Sequence, residues 1–186
     1  MRLALFLMLV VTLAGCNPYV AATSAITETY DATTDLRSLS TQATDTEIEV
    51  QIKAALVASP VSGTSGLDVY CRQGVVVLVG VVSEGSSAGS EAIRIARGTS
   101  GVRRVETYFV RSRPSWTSDF EIKEKIRAVM VADPDLVSGR IDIAVYAGHV
   151  VLVGVVASRA KIEQFISDAR SVSGVVTVKS FIQLPA

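Results

Sequence analysis

The chain has 186 residues, enough for one domain or two small ones, and 49% of them are hydrophobic. Lys and Arg together number 18, as do Asp and Glu, so no charge bias points to nucleic acid as a partner. Zinc-ligand spacings, basic recognition helices and strand-spaced stacking aromatics are absent from the sequence as well.

Residues 1–15 read as a targeting segment. Arg2 supplies the positive charge, and Leu3 to Leu13 form an apolar run of 11 residues, too short to span a bilayer. Leu13-Ala14-Gly15-Cys16 follows and is similar to the lipobox of bacterial lipoproteins. That resemblance implies a mature chain beginning at an acylated Cys16. Asn17 comes next, where an Asp tends to retain such proteins in the inner membrane, so the resemblance implies sorting to the outer membrane. With Cys16 acylated, Cys71 has no partner for an intrachain disulfide. Its alternation with Leu67 and Val69 reads as a small buried hydrophobe. Residues 16–44, rich in Ser, Thr and Ala, read as the anchor and a flexible tether.

Everything after the tether is written twice. Gly74-Val75-Val76-Val77-Leu78-Val79-Gly80-Val81-Val82 returns 74 residues later as Gly148-His149-Val150-Val151-Leu152-Val153-Gly154-Val155-Val156. Each run reads as a buried central strand entered through a turn. Ahead of the first copy, Asp45 or Thr46 can cap a helix, with Thr46 and Glu49 spaced as a capping box. Ile48, Ile52 and Leu56 lie on its apolar stripe. Leu67, Val69 and Cys71 alternate as a strand. A second helix is expected near residues 88–97, and a third strand runs to Val110. The second copy repeats this order: Asp119, Ile122, Ile126 and Met130 match the first helix, and Ile141, Ile143 and Val145 match the first strand. The expected fold is α+β, two tandem αββαβ units at 45–110 and 119–186 joined by a linker at 111–118. Each would be a three-stranded mixed sheet covered on one face by two helices, with a right-handed crossover. An aspartate at Val77 or Val151 is expected to unfold its own unit.

These residues resemble the BON domain (bacterial osmotically induced and nodulation). The resemblance is carried by Asp45 and Asp119, the helix stripe, the Gly-x-Val-x-Leu-x-Gly-x-Val strand, and Ala96-Arg97 and Ala169-Arg170. Gly-Val-x-x-Val at Gly101 and Gly174 completes it. Two copies behind a lipobox resemble the dual-BON outer-membrane lipoproteins. The first copy departs by its loop from Gly85 to Gly89, and both by Thr107 and Ser180 where Asn is frequent. The resemblance implies a periplasm-facing, membrane-associated role with phospholipid binding and support of envelope integrity, and no catalysis.

The residues themselves offer little for an enzyme. His149, the only histidine, follows a turn glycine without a Cys, Asp or Glu cluster of the kind a metal site requires. Gly74 and Gly80 enclose strand residues, with no Lys-Ser/Thr pair to hold phosphate. No cofactor and no metal are expected.

The copies differ on the first helix. Phe120, Lys123 and Arg127 share one side of it, where the first copy has Thr46, Glu49 and Lys53, and Trp116 lies just upstream. Aromatics beside cations suit docking on an anionic lipid surface. The same residues would equally form a solvated face, with Phe120 or Trp116 stapling the helix onto its own domain. A second candidate surface is Arg94, Arg97, Arg103, Arg104, Arg111 and Arg113, facing headgroups, an acidic protein or the acids of the first helix. The expected function is a lipid-anchored, non-catalytic binder of anionic phospholipid. The alternative is an adaptor for an envelope assembly or a peptidoglycan-associated partner.

Overall fold

The computed structural model describes residues 36–111, 116–131 and 141–186. The first repeat runs α1 (Leu39–Ala58), β1 (Asp68–Arg72), β2 (Val75–Val81), α2 (Ala88–Gly98) and β3 (Arg104–Val110). The second runs α3 (Trp116–Val131), β4 (Ile141–Tyr146), β5 (His149–Val155), α4 (Arg159–Ser171) and β6 (Thr177–Gln183). Both are αββαβ units. β1 pairs antiparallel with β2, and β2 pairs parallel with β3 across the α2 crossover. β4, β5 and β6 repeat this register, giving two three-stranded mixed sheets.

Helix α1 begins earlier than the sequence reading placed it. Ser38 is its cap, its hydroxyl accepting from the Thr41 amide at 3.1 Å. Residues 39–44 are therefore helix rather than tether, and Asp45 lies buried inside the helix rather than at its end. The capping box does not form. The Thr46 hydroxyl donates to the Gln42 carbonyl at 2.8 Å, and Glu49 accepts the Cys71 amide at 2.6 Å. Nothing between Ser38 and Asp45 breaks a helix, so the earlier cap wins once the apolar stripe is docked.

What Asp45 does instead explains why both repeats carry an aspartate there. The two hairpins turn through Gln73–Gly74 and Ala147–Gly148, with φ of 54° and 73° in one and 51° and 75° in the other. Two consecutive left-handed residues are the signature of the two-residue turn whose twist matches paired strands. Gln and Ala are strained there. Asp45 accepts the amides of Gln73 and Gly74, each at 2.8 Å, and Asp119 accepts those of Ala147 and Gly148, each at 2.9 Å. Each helix thus holds its hairpin tip by a buried carboxylate.

Among the described residues, three cores follow from strand alternation. On the helix side of the first sheet, Ile48, Ile52 and Leu56 pack on Cys71, Val76 and Leu78. On the helix side of the second, Ile122, Ile126 and Met130 pack with Ile143, Val150, Leu152 and Phe165. The intervening residues point the other way. Val77 and Val79 meet Ala144, Val151 and Val153 in a third core, ringed by Tyr70, Tyr108, Tyr146 and Phe181. The two sheets therefore stack face to face with the helices outside. β2 and β5 are buried on both faces, which is why they read as unbroken apolar runs. This corrects the place given to Val77 and Val151: they belong to a core that both repeats share, not to the helix-side core of one unit.

Candidate functional site

Helix α3 turns Asp119, Ile122, Ile126 and Met130 inward. Phe120, Lys123 and Arg127, spaced three and four residues apart, follow one another along a neighbouring side. Phe120 is 65% exposed, so it is not stapled back onto its own domain. Phe120 and Lys123 line a cavity of about 200 Å³ whose wall includes Ala144, Tyr146 and, from the first repeat, Asp68. Among the described residues Lys123 has no hydrogen-bond or ion-pair partner, whereas exposed Arg127 pairs with Glu124 at 3.0 Å. The side chain of Trp116 and the whole of Cys16 lie outside the described residues.

The equivalent side of α1 is built differently. Glu49, at the position of Lys123, accepts the Cys71 amide at 2.6 Å and the Arg72 guanidinium at 2.8 Å. Burial pushes its carboxyl above the ordinary range, against the pull of the Cys71 amide and Arg72. The change from Glu49 to Lys123 thus replaces an internal acceptor with a cation. Cys71 is buried, and its Sγ lies 3.3 Å from Asp45 Oδ1. Burial and the neighbouring Asp45 carboxylate raise its thiol, so it stays protonated and inert.

Within the arginine stretch, several of the described side chains make local contacts. Arg94 pairs with Glu91 at 2.7 Å, Arg104 with Glu106 at 3.0 Å and Arg111 with Glu84 at 3.4 Å. Arg103 donates to the Gln73 carbonyl at 3.4 Å. Arg113 lies outside the described residues. The acids of α1 take Arg37, on Asp45, and Arg72, on Glu49. His149 meets the Tyr108 hydroxyl at 3.2 Å and the Thr177 hydroxyl at 2.9 Å, at the rim of the inter-sheet core.

The polar seam between the repeats escaped the sequence reading. Tyr146 donates to Asp68 at 2.6 Å, and Arg72, only 5% exposed, pairs with both Glu49 and Asp142. One signal was available: Asp68 and Asp142 match at the repeat offset, in strands whose other side is apolar.

The BON domain family model matches residues 44–111 and again 118–186. The chain belongs to the BON-domain family, with two copies of the domain. Osmotically-inducible protein Y of Escherichia coli (strain K12) is 32% identical to it over 142 residues, spanning 73% of this chain and 70% of that protein. Among solved structures, CdsD, a structural protein of the type III secretion system of Chlamydia trachomatis, aligns at 14% identity. The alignment covers 76% of this chain and 63% of that one, with a TM-score of 0.32. The C-terminal domain of CdsD aligns at the same identity and score over 67% of its length.

Proposed function

We propose that this BON-domain chain is a non-catalytic lipoprotein, anchored by acyl groups on Cys16 to the outer membrane and facing the periplasm. In this role it binds anionic phospholipid through α3 of its second repeat and supports envelope integrity. The observation that carries the reading is Phe120, 65% exposed beside Lys123 on a helix that also presents Arg127. A cation at an anionic surface contributes about 1 kcal/mol, so two alone bind weakly. A phenyl ring leaving water adds roughly 2 kcal/mol that salt does not screen. An anchor at Cys16 would hold the domain beside the bilayer and make such a contact effective. Trp116, at the start of the same helix, would add a second aromatic at the interface. An osmotically inducible relative is consistent with work in the envelope.

The alternative is an adaptor for an envelope assembly or peptidoglycan-associated partner. It draws on Leu39 and Val57 of α1, 71% and 62% exposed. Co-sedimentation of a fragment of residues 34–186 with vesicles separates the two readings. Pelleting that requires phosphatidylglycerol supports lipid binding, and its absence favours the adaptor.

A further inference from the structure

We infer that the bilayer-contacting surface is shared between the repeats, with Val50 and Lys53 of α1 completing it beside Phe120 and Lys123 of α3; this rests on the lipid reading above. Asp68 lies against Tyr146 and Arg72 against Asp142, so β1 and β4 pass each other in opposite directions. Lys53 donates to the Leu67 carbonyl at 2.6 Å, which ties the later turns of α1 to the start of β1. Asp119 holds the tip of the β4–β5 hairpin, which ties the first turn of α3 to the end of β4. The later half of α1 is thereby brought beside the first half of α3.

The cavities agree. One of about 280 Å³ is lined by Glu49, Val50, Lys53 and Tyr70, and Asp68 is common to its wall and to that of the Phe120 cavity. The apolar side chains at this joint are outward, Val50 at 62% and Phe120 at 65% exposed. The carboxylates that line the two cavities are committed inward. Asp68 accepts from Tyr146 at 2.6 Å, Glu49 from Cys71 and Arg72, and Asp119 from Ala147 and Gly148. Lys123 has no such partner among the described residues, and Lys53 spends one of its three N–H groups on Leu67. Two apolar side chains flanked by two cations fit an anionic bilayer surface.

The position related by exchanging the repeats lacks this character. There the joint is Asp142, which takes Arg72, Thr46 and Glu124 replace Phe120 and Val50, and Arg127, in the place of Lys53, pairs with Glu124 at 3.0 Å. The exposed apolar side chains therefore gather at one joint of the sandwich and not at the other.

The test uses the mature, acylated protein in vesicles of phosphatidylcholine with phosphatidylglycerol. Val50→Cys, Phe120→Cys and Val176→Cys variants each carry one environment-sensitive fluorophore, and Cys71, being buried, stays unlabelled. Spin-labelled lipid is expected to quench the probes at 50 and 120 and to spare the probe at 176, only when phosphatidylglycerol is present. Circular dichroism verifies the fold of each variant. Quenching at 120 without 50 overturns the shared surface and leaves the lipid reading standing. Quenching at 50 alone also overturns it. Quenching at neither position removes the lipid reading itself.

Discussion

Tyr146 of the second repeat donates its phenolic hydrogen to the carboxylate of Asp68 in the first, at 2.6 Å. Arg72 and Asp142 occupy the same two positions with the repeats exchanged, and they also pair. The repeats therefore meet as the two subunits of an isologous dimer would, each giving what the other receives. Burial and the Asp68 bond raise the Tyr146 hydroxyl well above its ordinary value, so it remains a donor across the working pH range.

The two halves of this seam should differ in weight. Tyr146→Phe removes one hydrogen bond to a half-buried carboxylate and should cost about 1 kcal/mol. Arg72→Met leaves Glu49 and Asp142 without their cation and should cost about 3 kcal/mol. Denaturant unfolding of both variants checks this, and an unchanged midpoint for Arg72→Met would contradict the geometry.

The shared core makes the repeats depend on each other. Val77→Asp puts a carboxylate between the sheets, where Val79, Val151 and Val153 offer no partner. Hydrogen exchange should therefore accelerate in β4–β6 as well as in β1–β3, and Val151→Asp should act on both in the same way. Acceleration confined to the substituted repeat would show that the sheets are not stacked.

The αββαβ order was legible because the period changes cleanly from helical to alternating and because the repeat prints each signal twice. The start of α1 was not. Asp45 resembles a cap in sequence, and only the distant Gln73–Gly74 amides reveal it as a clamp. The face-to-face stacking was half legible. Val75 to Val81 is apolar at both alternating sets of positions, which means two covered faces, but nothing local says what covers the second. Phe120 and Lys123 could be picked out by comparing the copies, whereas the contribution of Asp68 to their cavity depends on tertiary packing between strands 78 residues apart in sequence.

The clamps should be strong and separable. Asp119→Ala leaves two turn amides without their acceptor and releases Ala147 from a left-handed conformation, costing about 2 kcal/mol. Asp45→Ala should do the same to the first hairpin. Thermal unfolding measures both losses, and Asp119→Asn should recover part of the loss because its carbonyl still accepts one amide.

Acid should favour the environment of Glu49. Its folded pKa is raised above the ordinary 4.5, chiefly by burial. A carboxyl raised in the fold binds its proton there before it does in the unfolded chain. Its stabilising contribution is thus complete below about 4.5 and is lost as pH rises through the folded value. Relative to Glu49→Gln, the native chain should therefore gain stability as pH falls from neutral toward 4.5 and change no further below it. Melting curves of the pair across this range supply the measurement, and a gap that narrows on acidification would reverse the sign argued here.

The central claim is that α3 of the second repeat contacts anionic lipid, and its most direct test reverses the charge there. A fragment of residues 34–186 carrying Lys123→Glu and Arg127→Glu should keep its melting temperature within a few degrees, since neither side chain is buried in a core. Each replacement turns attraction of about 1 kcal/mol into repulsion, so partition onto phosphatidylglycerol vesicles should fall by at least about tenfold. Co-sedimentation as complete as that of the unsubstituted fragment would contradict the account and leave the adaptor reading in its place.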